Sequence, residues 1–290
     1  MSEGPLLTVE DLRVAYRGRS GPVPALRGVS FIVGRERVGI VGESGSGKST
    51  IGLTILRLLP QSALVSAKRL CLLDTDLMAA SERAMRSIRG RRISMVLQDP
   101  KYSLNPVITV GRQIAESYKV HSGASTREAR RRALEMLEAV RIRDPERVFD
   151  LYPHEVSGGM GQRVMIAMML IPEPELLIAD EPTSALDVTV QAQLLVLIDE
   201  LIRRRRMGLI LISHNINLVA SFCDRVVVLY AGRIMESLKA SELALARHPY
   251  TQGLLACRPL IDRAQPELPQ LTRDPSWLDA PDESRRGTDA

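Results

Sequence analysis

From about Leu6 to Phe31 apolar and polar residues alternate, most clearly in Thr8-Val9-Glu10-Asp11-Leu12-Arg13-Val14 and Ala25-Leu26-Arg27-Gly28-Val29-Ser30-Phe31, with a Gly- and Pro-rich turn between them. A period of two predicts an antiparallel β element. The pattern then changes to unbroken apolar runs, at Arg37-Val38-Gly39-Ile40-Val41, Glu175-Leu176-Leu177-Ile178-Ala179-Asp180, Leu209-Ile210-Leu211-Ile212-Ser213 and Arg225-Val226-Val227-Val228-Leu229-Tyr230. Strands buried on both faces read this way. Val65 to Leu73 and Arg92 to Leu97 are also strand-like. Helical periodicity covers Val110 to Val140 and about Thr189 to Arg206, and Thr50 to Leu59 forms a helix stopped by Pro60. This alternation predicts an α/β fold with a parallel sheet, crossover helices and an inserted helical subdomain. Beyond about Asp262 the polar, Pro-containing segment to Ala290 reads as a mostly disordered tail.

Between the strand ending at Val41 and the helix that follows lies Gly42-Glu43-Ser44-Gly45-Ser46-Gly47-Lys48-Ser49-Thr50, a phosphate-binding loop of the G-x-x-x-x-G-K-S type. Its glycines allow the backbone to pass close to a polyphosphate with N–H groups turned inward, and the following helix N-terminus adds positive potential. Lys48 is suited to the β- and γ-phosphates and the Ser49 hydroxyl to Mg²⁺. The expected ligand is a Mg-nucleotide.

Composition narrows the classes. The 290 residues are 45% hydrophobic and 25% charged, as in a globular chain, and no apolar run approaches a membrane span. The N-terminus lacks the regions of a signal peptide. A net charge of +5 permits contact with nucleic acid, but aromatics are only 3% and the densest basic cluster, Arg203 to Arg206, closes an amphipathic helix, so no nucleic-acid partner is expected. Cys71, Cys223 and Cys257 have no metal-ligand spacing.

Two further motifs carry chemistry. Asp180 and Glu181 end an apolar strand, where an acid can hold Mg²⁺ and its neighbour can take a proton from water. Val156-Ser157-Gly158-Gly159-Met160-Gly161-Gln162-Arg163 opens the helix Val164 to Leu170, and its serine and glycines offer a second phosphate-binding helix end. One nucleotide needs only the first, so nucleotides sandwiched between two subunits are expected. Tyr16, between the first two strands, packs in the sheet or stacks on a base.

With these motifs the chain resembles the ATP-binding subunits of ABC transporters from about Leu6 to Leu260. Gly42 to Ser49 matches the Walker A motif, Gln98 the Q-loop glutamine, Ser157-Gly158-Gly159 the signature, Leu176 to Asp180 the Walker B strand, Ser184-Ala185-Leu186-Asp187 the D-loop and His214 the switch histidine. Gln98-Asp99-Pro100, Ser103-Leu104-Asn105-Pro106, Tyr152-Pro153-His154-Glu155 and the extension His248-Pro249-Tyr250-Thr251 are similar to the peptide/nickel import branch.

The resemblance implies a P-loop NTPase fold of ABC type over residues 1–260, with a mostly parallel core sheet and an antiparallel β subdomain. A helical signature subdomain would fill about 100–172, an import-type extension about 240–260 and a tail 261–290. It implies ATP hydrolysis with Mg²⁺ and no iron–sulfur cluster. Glu181, His214 and Gln98 would be catalytic, and Ser49, Gln98 and Asp180 would serve the metal. Tyr16, Gly42 to Thr50, Ser157 to Gly159 and Asp187 would bind nucleotide. The implied partners are two membrane permeases, a homologous or identical ATP-binding subunit and a separate substrate-binding protein, at the cytoplasmic face of the inner membrane. Peptide uptake is the expected process. The alternatives are nickel or metal-chelate import, and a soluble ABC ATPase without a transport role. Gly161 stands where the family usually has a basic residue, and Asn215 where it commonly has aspartate.

Overall fold

The computed structural model describes residues 4–19, 21–97, 103–183, 186–256 and 274–278. In chain order it begins with β1 (Leu7–Gly18), β2 (Gly21–Val33), β3 (Arg37–Val41), α1 (Lys48–Ile55), β4 (Ala63–Ser66), β5 (Arg69–Leu72) and β6 (Thr75–Asp76). There follow α2 (Glu82–Ile88), β7 (Ile93–Val96), α3 (Val110–Ser122), α4 (Thr126–Ala139), α5 (Pro145–Phe149), α6 (Gly158–Leu170), β8 (Leu176–Asp180) and α7 (Val188–Arg205). The chain continues through β9 (Gly208–Ser213), α8 (Ile216–Phe222), β10 (Arg225–Tyr230), β11 (Arg233–Lys239) and α9 (Pro249–Ala256). It divides into two compact units, one of residues 1–80 with 210–290 and one of residues 81–209. Among the described residues no helix is long and apolar enough to cross a membrane.

In the first unit β1 pairs antiparallel with β2, β4 and β5, and β6 extends β5. The period-two reading holds here, since Leu12 and Val14 are buried while Arg13 between them is exposed. The β1–β2 register places Val9 opposite Phe31 and Val14 opposite Leu26, with shifts after Val9, Leu12 and Val14 that mark bulges. The predicted single strand from Val65 to Leu73 is two strands separated by Ala67 and Lys68, although the Lys68 amide still donates to the Glu10 carbonyl of β1 at 2.9 Å. A second sheet runs parallel from β3 to β10, with Ile40 opposite Val227, and then antiparallel to β11. β3 is buried along Val38–Val41, as an apolar run without alternation requires.

Helix α8 lies so close over β3 that a Cβ on Gly39 would stand 2.0 Å from Val219 Cγ1 and 3.1 Å from Cys223 Sγ. Burial there pushes the Cys223 thiol up to about 12. The helix after the phosphate loop is shorter than predicted. It ends at Ile55, and Arg57 turns the chain with φ +52° before Pro60 is reached.

In the second unit β7 and β8 pair in parallel, Ile93 opposite Leu176 and Met95 opposite Ile178, and every residue of both strands is buried. Arg92 and Glu175, just before the two strands, form an ion pair at 2.7 Å. The predicted helical stretch is two helices. Gly123, at φ +68°, ends α3, and the Ser125 hydroxyl then accepts the Glu128 N–H to start α4. Gly111 lets α3 pack on Phe149 of α5, and Arg130 of α4 lies over that ring, 4.8 Å from its centroid.

A Cβ on Gly111 would sit 2.1 Å from the Phe149 ring and 2.7 Å from the Phe149 Cα. Gly111→Ala should therefore destabilise this unit by about 1–3 kcal/mol, seen as a lower urea midpoint, and adding Phe149→Leu should recover part of the loss. A single Gly111→Ala variant with the wild-type midpoint would contradict this packing. For the thiols, native labelling at pH 8 followed by peptide mapping should modify half-exposed Cys71 at least about tenfold faster than buried Cys223. Equal labelling would show that Cys223 is open to solvent.

Candidate functional site

The first unit carries the phosphate loop. β3 ends at Val41, and the chain turns at Gly42, where a Cβ would lie 2.0 Å from the Leu229 carbonyl oxygen. Gly47 takes φ +101°, and a Cβ there would be 2.7 Å from the Ala25 oxygen. Both positions therefore accept only glycine. Gly45 is also left-handed, at φ +80°, but has open space around it.

Gly47 is the N-cap of α1 and offers no side-chain cap, so the amides of the first helical turn are available to an anion. Lys48 is buried at 6% exposure, and its ammonium donates to the Gly42 and Glu43 carbonyls, each at 2.8 Å. The Ser46 hydroxyl is buried with no hydrogen-bond partner among the described residues. Ser44 and Ser49 are exposed, and Glu43 and Thr50 half-buried. A backbone cradle, an uncapped helix end, a buried ammonium and an orphan hydroxyl fit a polyphosphate.

The same unit holds Tyr16, half-buried in β1 opposite Val23 and Ala63. It also holds His214, exposed immediately after β9. Asn215 next to it caps α8, its Oδ1 accepting the Asn217 and Leu218 amides at 3.0 and 3.1 Å. That task suits asparagine as well as aspartate.

The second unit holds the acidic pair and the signature. Asp180 ends β8 and is 7% exposed, and Glu181 turns the chain in the left-handed region at φ +46°. A non-glycine residue held there is conformationally costly, and such strain collects at functional positions. Gln162 of α6, 1% exposed, donates its side-chain amide to the Pro182 carbonyl and ties the turn after Glu181 to the signature helix. Residue types alone gave no sign of that link.

Ser157 is the exposed N-cap of α6, and its hydroxyl accepts the Met160 amide at a long 3.4 Å. Gly158 has nothing near its missing Cβ, so the helix end is open on that side. Gly161 is buried in the first turn of α6, a place ill suited to a cation. Asp187 caps α7 instead of standing free, its Oδ1 accepting the Thr189 and Val190 amides at 3.0 Å each. Gln98, Ser184, Ala185 and Cys257 lie outside the described residues. By residue range, Gly42 to Thr50, Tyr16 and His214 belong to one unit and Ser157 to Gly159, Asp180, Glu181 and Asp187 to the other.

Residues 26–184 match the family model described as ABC transporter. Over 270 residues the chain is 51% identical to a probable peptide ABC transporter ATP-binding protein of Sinorhizobium fredii, covering 92% of this chain and 81% of that protein. Over 272 residues it is 48% identical to a protein of Brucella abortus named as a putative peptide import ATP-binding protein, covering 91% of this chain and 80% of that protein. Among solved structures it is similar to a dimeric bacterial ABC transporter cassette, with a TM-score of 0.72, 26% identity and coverage of 81% of this chain and 98% of that one. A post-hydrolysis cassette dimer bound to ADP and Pi is similar at a TM-score of 0.70, 27% identity and the same coverage. The α/β architecture described above is that of the ABC ATPase cassettes.

The geometry at Asp187 separates capping from other roles. Asp187→Ala should lower stability by about 1 kcal/mol in denaturant unfolding, while Asp187→Ser should stay within a few tenths of a kcal/mol. Identical unfolding curves for Asp187→Ala and the wild type would rule out the cap.

Proposed function

We propose, since this chain belongs to the ABC transporter family, that it is the ATP-hydrolysing subunit of a peptide importer. The observation that carries the reading is the cradle at Gly42 to Thr50, whose backbone excludes side chains at Gly42 and Gly47 and whose buried ammonium faces the loop. The names of the relatives support peptide as the cargo.

In this reading the loop amides and Lys48 hold the β- and γ-phosphates, and Tyr16 stacks on the adenine. Ser49 and Asp180, with Gln98, would hold Mg²⁺, which prefers oxygen donors of this kind, and the ion would supply charge neutralisation at the β- and γ-phosphates. Water attacks the γ-phosphorus, its proton passes to the Glu181 carboxylate, and the bond to the departing ADP oxygen breaks. His214 contacts the γ-phosphate. Ser157 to Gly159 and Asp187 serve the nucleotide held by a second ATP-binding subunit, homologous or identical, in a head-to-tail pair. Gln98 relays closure to two permeases, which hold the protein at the cytoplasmic face of the inner membrane, and a separate binding protein delivers cargo. Hydrolysis opens the pair, so differential binding of ATP and ADP drives the cycle.

Glu181→Gln keeps the size of the side chain and removes the base. ATP affinity should stay within about threefold, while single-turnover hydrolysis by the purified transporter falls by about 10²-fold or more. Turnover near wild type would overturn the assignment of Glu181. Absence of peptide-stimulated hydrolysis by the wild-type complex would overturn the cargo.

A further inference from the structure

The extension His248-Pro249-Tyr250-Thr251 has a partner that its sequence does not reveal. Tyr250 is fully buried, and its hydroxyl accepts the backbone N–H of Glu43, the second residue of the phosphate loop, at 3.1 Å. The carbonyl of the same Glu43 accepts the Lys48 ammonium at 2.8 Å and the Ser46 amide at 3.2 Å. One residue is therefore gripped at its N–H by the C-terminal extension and at its carbonyl by Lys48 of the same loop.

The grip on Tyr250 is itself built. Glu236 of β11 accepts the Arg247 and His248 amides at 2.8 and 3.3 Å, and His248 Nδ1 accepts the Tyr250 amide at 3.1 Å. The Tyr250 ring packs on Tyr230 with centroids 4.7 Å apart. Tyr230 directly follows Leu229, whose carbonyl abuts Gly42. Trp277, in a short 3₁₀ turn at Pro275–Leu278, then closes the cluster edge-on, 5.6 Å from Tyr230 and His248 and 5.8 Å from Tyr250. Away from water a hydroxyl–amide bond gains strength, so the rings reinforce the contact they cover.

We propose that Tyr250 is a positioning residue for the phosphate loop and that Trp277 seals it, so that the C-terminal segment tunes nucleotide affinity. The inference rests on reading Gly42 to Thr50 as the nucleotide site. It places the effect on binding and leaves chemistry at Glu181 untouched. Trp277 is the only tryptophan of the chain, so its emission reports on the cluster directly.

The test uses the full chain, with MgATP and inorganic pyrophosphate as probes. MgATP should change the Trp277 emission of the wild type. Tyr250→Phe, which keeps the ring and removes the hydroxyl, should weaken both probes by about threefold to tenfold, the scale of one neutral hydrogen bond. Its KM for ATP should rise by the same factor with kcat within about twofold, and its emission response to MgATP should shrink. Trp277→Ala should raise KM in the same direction with an unchanged circular dichroism spectrum, and it decides the matter if Tyr250→Phe fails to fold. Wild-type affinity in both folded variants, or a loss confined to kcat, overturns the proposal while leaving the nucleotide site standing. A wild-type chain that binds neither probe overturns the nucleotide reading and this inference with it.

Discussion

At Gly42 and Gly47 the chain runs so close to the carbonyl oxygens of Leu229 and Ala25 that no side-chain carbon fits. The phosphate loop therefore takes its shape from segments remote in sequence. The start of β2 supplies Ala25, and the end of β10 supplies Leu229. The turn after β10 supplies Gly232, whose amide donates to the Ser46 carbonyl and whose own carbonyl accepts the Arg27 amide. A Cβ on Gly232 would in turn meet the Ala25 oxygen at 2.4 Å. Loop, antiparallel sheet and β10 turn are packed backbone to backbone, and a shift in one is transmitted to the others because none has a flexible side chain in between.

Much of this was legible from residue order. The unbroken apolar runs of β3, β8, β9 and β10 announced strands covered on both faces, and the spacing of Gly42, Gly47, Lys48 and Ser49 announced the loop. The boundaries were less legible. Gly123 followed by Ser125 and Glu128 is a stop and a start written in plain residues, yet the periodicity of Val110 to Val140 runs through it and masks it. The break between β4 and β5 and the early end of α1 at Ile55 carry no proline or glycine to mark them, and α1 ends where Arg57 takes a left-handed φ of +52°. The Tyr250 contact with Glu43 was invisible for another reason, since it joins residues far apart in the chain through a backbone N–H, which every residue but proline owns.

The polar residues at helix starts show how one side chain can satisfy two demands. Ser157, Asp187 and Asn215 all stand at or beside motifs that attract a functional reading, and each also accepts amide hydrogens at the head of α6, α7 or α8. Capping fixes where the backbone enters the helix, and so fixes the direction in which neighbouring residues such as Gly158 or His214 are presented. At these positions a substitution alters geometry before it alters chemistry, and the long 3.4 Å cap of Ser157 leaves that hydroxyl the freest of the three to bond elsewhere.

The bulged pairing of β1 and β2 has a consequence for how copies of this protein meet. β2 is the outermost strand of its sheet, and such a border is an open template on which a strand of another molecule can dock. Here the exposed start of that border carries Pro22 and Pro24, which have no amide hydrogen to offer, and three register shifts twist it out of line. Farther along, the Arg27 amide is already taken by the Gly232 carbonyl. Strand-to-strand association through this side is thereby discouraged, even when the chain is crowded at high concentration.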